Sequence, residues 1–161
     1  MKFASYRYNQ SDKPRFGFKR DKYIVDVVKC ANWLNEKKGD AIFLDIPSSL
    51  KECLKNWSIN FELLNKLDGI ITNEDIIEAS KIDKPIANLE SDLELLAPVP
   101  NPQSFRDFYA FEQHVRSARK LRGLEMHPDW FKIPIFYFSN SVALFGHREK
   151  ISKKILIVGG G

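Results

Sequence analysis

Leu95-Leu96-Ala97-Pro98-Val99-Pro100-Asn101-Pro102 (LLAPVPNP) divides the chain. Prolines at 98, 100 and 102 exclude a helix, and each pushes the residue before it into extended backbone. The stretch reads as an extended linker, and the composition changes across it. Residues 1–93 carry 15 basic and 15 acidic side chains, whereas residues 94–161 carry 10 and 6, so the net charge of +4 lies in the back part. Ten of the 20 aromatic residues fall between Phe105 and Phe145. The 161 residues therefore read as two units, 1–96 and 97–161.

In front of the linker the pattern is mixed α+β. Lys2–Tyr8 alternates, Asn9–Pro14 is turn chemistry, and Phe16–Lys19 and Tyr23–Val28 read as two further strands. Asn32–Asp40 reads as a short helix closed by Gly39. Ser48–Trp57 opens with a serine cap and Glu52, and Phe61–Leu67 and Ile76–Ala79 are also helical in pattern. A small β-rich barrel with inserted helices fits this order of elements.

Behind the linker, Ser104 is placed to cap a helix over Phe105–Leu121 that ends at Gly123. Phe108, Phe111, Val115 and Ala118 recur at three- and four-residue steps, an amphipathic stripe. Pro128–Trp130 is a turn, and Ile133–Phe138 (IPIFYF) reads as a strand. Lys153–Gly161 (KKILIVGGG) reads either as the opening strand of a dinucleotide fold, without its helix and later glycines, or as a tail from a truncated or frame-shifted coding region.

Composition narrows the function. Hydrophobic residues make up 43% of the chain, enough for a packed core. Cys30 and Cys53 lack zinc or disulfide spacing and read as small buried hydrophobes. Met1–Tyr8 is no secretory leader, and no run of about 18 apolar residues occurs. The expectation is a cytoplasmic protein with no membrane contact. Arg116, Arg119, Lys120 and Arg122 form a basic run on one helix, read as a solvated face rather than a nucleic-acid site.

Asp107 and His114 stand seven apart, which in one helix puts both on the same side, with Tyr109 and Arg122 on neighbouring faces. A carboxylate, an imidazole and a guanidinium there can hold a hard cation, move a proton near neutrality and bind an anion. Tyr137, in an apolar strand, reads from the residues alone as core rather than as a site residue, and Tyr109 equally as packing. Arg122, near a helix end, reads equally as a cation favoured by the helix dipole. His127 and His147 read as surface, and Met126 and Trp130 as packing.

Asp107-Phe108-Tyr109, His114, Arg122-Gly123, Pro128-Asp129-Trp130, Pro134 and Tyr137 agree in order and spacing with the segment that opens the active site of the fumarylacetoacetate hydrolase family. The chain resembles the N-terminal portion of a family member, firmly over residues 98–147 and more loosely in front. The resemblance implies an SH3-like N-terminal domain over 1–96. It implies the start of a mixed β-roll catalytic domain over 97–161, and a homodimer in the full-length form. It implies hydrolysis of the carbon–carbon bond of β-diketo acids, or related chemistry on oxo acids, with a divalent ion (Mg²⁺, Ca²⁺ or Mn²⁺) as cofactor. By the same resemblance Asp107 binds the metal, His114 is the general base, and Tyr109, Arg122 and Tyr137 hold the substrate. The family's further carboxylates lie downstream in an ExE pattern, whereas Glu149 is the one acid after Gly146 here. The metal site is therefore expected to be incomplete and the chain truncated. The alternative expectation is a non-catalytic remnant serving as an interaction or dimerisation module.

Overall fold

The computed structural model describes residues 1–39, 43–146 and 149. The strand-or-tail reading of Lys153–Gly161, the surface reading of His147 and the end of the Asn32–Asp40 helix at Asp40 lie outside the described residues. The described residues form two compact units, the first comprising Met1–Pro100 with the return of the chain at Phe145, the second Asn101–Leu144.

The first unit is α+β. Five antiparallel strands form a curled half-barrel sheet: β1 (Phe3–Arg7), β2 (Arg15–Arg20), β3 (Tyr23–Asp26), β4 (Ala87–Leu89) and β5 (Glu94–Leu95). Their order is β4-β3-β2-β1-β5. Helices α1 (Val27–Lys38), α2 (Leu50–Lys55), α3 (Trp57–Ile70) and α4 (Asn73–Lys81) come between β3 and β4 in the chain. Alternation along β2 decides which sheet face they cover. Phe16 and Phe18 share a core cluster with Val25, Cys30, Leu34, Leu64, Leu67 and Ile76. Gly17, between them, faces the other way, under Tyr6 and Ile24. A Cβ there would stand 2.7 Å from Ile24 Cγ2 and 2.6 Å from the Val25 carbonyl, so only glycine fits. Cys30 and Cys53 are both fully buried free thiols, and burial pushes Cys30 up to about 12.

Tyr23–Val28 is not one strand. It ends at Asp26, whose carboxylate accepts from the Lys29 amide at 2.9 Å and caps α1. Val27 and Val28 have strand propensity, but the cap turns them into the first helical turn. Asp26 is 1% exposed and also accepts 2.6 Å bonds from Tyr6 Oη and Arg15 Nε. Every strong donor around the buried carboxylate is thus paired. Burial and the adjacent Asp26 charge drive the Tyr6 phenol far above its ordinary range.

The front of the proline-rich stretch packs on the first unit. The Leu96 amide donates to the Ser5 carbonyl at 2.9 Å, and Ser5 Oγ donates to the Pro98 carbonyl at 2.6 Å. Arg7 grips Glu94 with two bonds and reaches Glu149 at 3.5 Å. Among the described residues no helix is long and apolar enough to cross a membrane.

In the second unit the expected helix over Phe105–Leu121 is divided. Phe105–Phe108 is a strand, β6, and the helix α5 spans only Glu112–Leu121. Ser104 caps no helix; its hydroxyl accepts from Arg106 at 2.6 Å. β6 pairs antiparallel with β7 (Phe136–Ser139). A cross-strand partner outweighs the helical spacing of Phe108, Phe111 and Val115, of which Val115 alone is buried. The helix closes where expected. Gly123, at φ 70°, donates to Lys120, and Leu124 donates to Arg119, both at 3.0 Å, the paired bonds of a Schellman end.

Candidate functional site

Asp107 and His114 do not share a helix. Asp107 sits in β6 and His114 in the first turn of α5, so the seven-residue spacing does not bring them to one side. The hairpin register places Asp107 instead. It is paired directly with Tyr137, and directly opposed residues project from one face. Phe105, Asp107, Tyr137 and Ser139 thus share one face of the hairpin, and Arg106, Phe108, Phe136 and Phe138 the other.

Tyr109, His114, Arg122 and Tyr137 line one cleft of about 370 Å³ within the second unit. Asp107 is not in its lining and is exposed beside Tyr137 on the hairpin. Helix α5 supplies the long wall. His114, Val115, Ala118, Arg119 and Arg122 fall at helical steps on one side, and the Schellman end turns Leu124 into the same cleft. Val115 is 1% exposed and seats the helix.

Tyr109 is fixed through its backbone. Its amide donates to the Ile135 carbonyl at 3.0 Å, extending the hairpin by one bond. Its carbonyl accepts from the Trp130 indole Nε1 at 2.8 Å. Trp130, read from sequence as packing, therefore fastens the Pro128–Phe131 turn to the end of β6. The Tyr109 and His114 rings meet edge to face, with centroids 6.0 Å apart and planes at 89°.

Arg119, His127 and Trp130, to which the sequence reading assigns no site role, are further polar or aromatic residues of the lining. Arg119 belongs to the basic run read as a solvated face, yet its Nε donates to the Glu125 carbonyl at 2.5 Å and holds the loop that follows α5. The signal that could have found it is its place four residues after Val115 and three before Arg122, on the same stripe of the helix. The lining holds two arginines, two histidines and two tyrosines and no carboxylate, which is a surface for an anion.

The other hairpin face is a cation–aromatic cluster. The Arg106 guanidinium lies 4.9 Å from the Phe138 ring centroid and 5.3 Å from that of Phe136, and the Phe108 and Phe136 rings meet at 5.2 Å, tilted by 48°. Among the described residues no group of three or more histidine, cysteine, aspartate or glutamate side chains is placed to hold a metal ion. The sequence matches no protein-family model and no curated protein.

Proposed function

We propose that the cleft binds a small β-diketo or related oxo acid and that the protein belongs to the chemistry of the fumarylacetoacetate hydrolase family, hydrolysing a carbon–carbon bond. The observation that carries this reading is the meeting of Tyr109, His114, Arg122 and Tyr137, contributed by the hairpin, helix α5 and the end of that helix, on one acid-free cleft. In this reading Arg122 pairs with the substrate carboxylate. His114 accepts the proton of the water that adds to the carbonyl carbon. The carbon–carbon bond then breaks, its electron pair passes to the leaving enolate, and the hydroxyls of Tyr109 and Tyr137 donate to the oxyanions. The enolate takes up, as it leaves, the proton that His114 had accepted, which restores the base. The curled antiparallel sheet of the first unit supports the SH3-like reading of that unit, and the β6–β7 hairpin supports the start of a β-roll in the second.

The described residues do not by themselves fit the divalent ion that the resemblance implies. We assign Asp107 to it as one ligand, but a hard cation takes about six oxygens and Asp107 brings one carboxylate. No step is therefore assigned to the ion here, and the chain's own residues carry binding and proton transfer. Acetylpyruvate tests the reading. It should bind the chain, and Arg122→Ala should weaken binding about tenfold or more, the loss of a charge-assisted hydrogen bond. Absence of binding at millimolar acetylpyruvate would overturn the reading.

A second reading has its own observation. Phe108, Phe136 and Phe138 stand exposed on the hairpin face that carries Arg106, with Phe138 71% exposed. A face of that kind suits an interaction or dimerisation module.

A further inference from the structure

We infer that His127 is a ligand-binding residue of the cleft, donating a hydrogen bond from Nε2 to an oxygen of the bound anion. This deepens the proposed function and rests on it, because it concerns the same cleft and the same class of ligand.

His127 stands immediately before the Pro128–Phe131 turn and lines the cleft with His114. Its Nδ1 accepts from the Asp129 backbone amide at 3.2 Å, serving as the cap of that turn. A ring nitrogen that accepts from an N–H carries no proton. In its neutral form the imidazole then keeps its proton on Nε2, at the far end of the ring, where it is a donor. The cap also fixes the orientation of the ring before any ligand arrives, which lowers the entropy lost on binding.

The turn that carries His127 is itself anchored. Trp130, three residues on, donates its indole N–H to the Tyr109 carbonyl at 2.8 Å. The backbone of the turn is closed by the Trp130 amide on the His127 carbonyl at 3.0 Å. Tyr109 and His127 are thus carried by two segments tied through one indole. The other charged or titratable groups of the lining are His114, Arg119, Arg122, Tyr109 and Tyr137, all of them donors when protonated. Asp129 Oδ2 lies 3.4 Å from Nδ1, on the capped side of the ring, and Lys132 reaches Asp129 at 3.9 Å. The carboxylate therefore stands by the nitrogen that already has a partner.

Oxalate is the probe, as two adjacent carboxylates resembling the oxo-acid end of a substrate. Ring nitrogen and carbon NMR signals of the 161-residue chain are followed during titration, with each ring assigned by its own substitution. The free protein should show His127 with Nδ1 unprotonated and Nε2 protonated, and oxalate should shift both the His114 and His127 signals. His127→Ala should weaken oxalate about tenfold, the scale of a hydrogen bond to a charged group. His127→Gln, which keeps an N–H donor near the Nε2 position, should retain most of the affinity. A His127 ring protonated on Nδ1 in the unsubstituted chain would overturn the inference without any variant having to fold. Unchanged oxalate affinity in folded His127→Ala, with His114 still reporting the ligand, would overturn it and leave the proposed function standing. Oxalate that moves neither ring would overturn both.

Discussion

The Tyr109 ring meets the His114 imidazole edge to face, with centroids 6.0 Å apart and planes at 89°. The two residues belong to different elements. Tyr109 continues the β6 side of the hairpin, and His114 lies in the first turn of α5. The contact therefore sets the rotamer of the imidazole from outside its own helix. In the proposed reading, where His114 accepts a proton, an imidazole aimed by a neighbouring ring needs less reorganisation when a ligand enters.

Tyr109→Leu should free that imidazole. Edge-to-face pairs contribute about 0.5–1.5 kcal/mol beyond area burial, so acetylpyruvate affinity should fall roughly two- to tenfold. The His114 ring protons should also lose the shift caused by the tyrosine ring current. Tyr109→Phe should keep the ring-current shift and lose only what the hydroxyl contributes. An unchanged His114 spectrum in Tyr109→Leu would refute the contact.

Trp130→Phe keeps an aromatic ring and removes the N–H that holds the Tyr109 carbonyl at 2.8 Å. A single hydrogen bond of this kind contributes about 1 kcal/mol net. The second unit should lose about that much stability, read by amide exchange at residues of β6 and α5, while the first unit is unaffected. Faster exchange spread equally through both units would refute a local role.

The front strands were legible because alternation and turn residues agree over Lys2–Val28, and the sheet uses them almost as read. Asp26 was not. A charged residue inside a run of β-formers reads as part of the strand, although an aspartate three residues before Lys29 is also a cap signal. In the second unit the 3.6-residue spacing of Phe108, Phe111 and Val115 argued for helix from Phe105, while the deciding contact, the pairing of β6 with β7, lies about thirty residues away in sequence. The four cleft residues were nevertheless named from the motif, because the motif fixes order along the chain whatever the local backbone does. His127 and Trp130 were passed over because their work is done through a ring nitrogen on a backbone amide and an indole on a carbonyl, and neither bond leaves a pattern in spacing.

The capping box of α4 makes stability depend on acid. Thr72 Oγ1 accepts from the Asp75 amide at 3.1 Å, and the Asp75 carboxylate accepts from the Thr72 amide at 3.0 Å and from Lys37 Nζ at 2.6 Å. Burial alone would push the Asp75 carboxyl up, but the bonds from Lys37 and Thr72 outweigh it and hold it below its ordinary value. The folded state therefore binds this proton less readily than the unfolded chain. The contribution is complete above the unfolded value near ~3.9 and is lost as the pH falls through the lower folded value. Asp75→Asn should cost about 1 kcal/mol at pH 7. The gap between the variant and the parent, measured as urea midpoints, should narrow as the pH is taken down toward 3. A gap that widens on acidification would reverse the sign assigned to Asp75.

The two faces of the hairpin predict different behaviours in solution. Phe136, Phe138 and Phe108 share a face with Arg106, and Phe138 and Tyr137 are each 71% exposed on opposite faces. Apolar area left in water costs about 25 cal/mol per Å², so a second copy laid face to face would gain several kcal/mol from these rings alone. The like charges of two Arg106 side chains oppose that gain but are softened by the rings beneath them and by salt. Sedimentation should therefore show self-association that strengthens with ionic strength. Phe138→Lys should abolish it, because it adds a second cation and removes the most exposed ring of that face. Tyr137→Ser, on the cleft face, should leave association intact and weaken acetylpyruvate instead. If Tyr137→Ser dissociates the assembly while Phe138→Lys does not, the two faces have the opposite roles, and the cleft is an interface rather than a binding site.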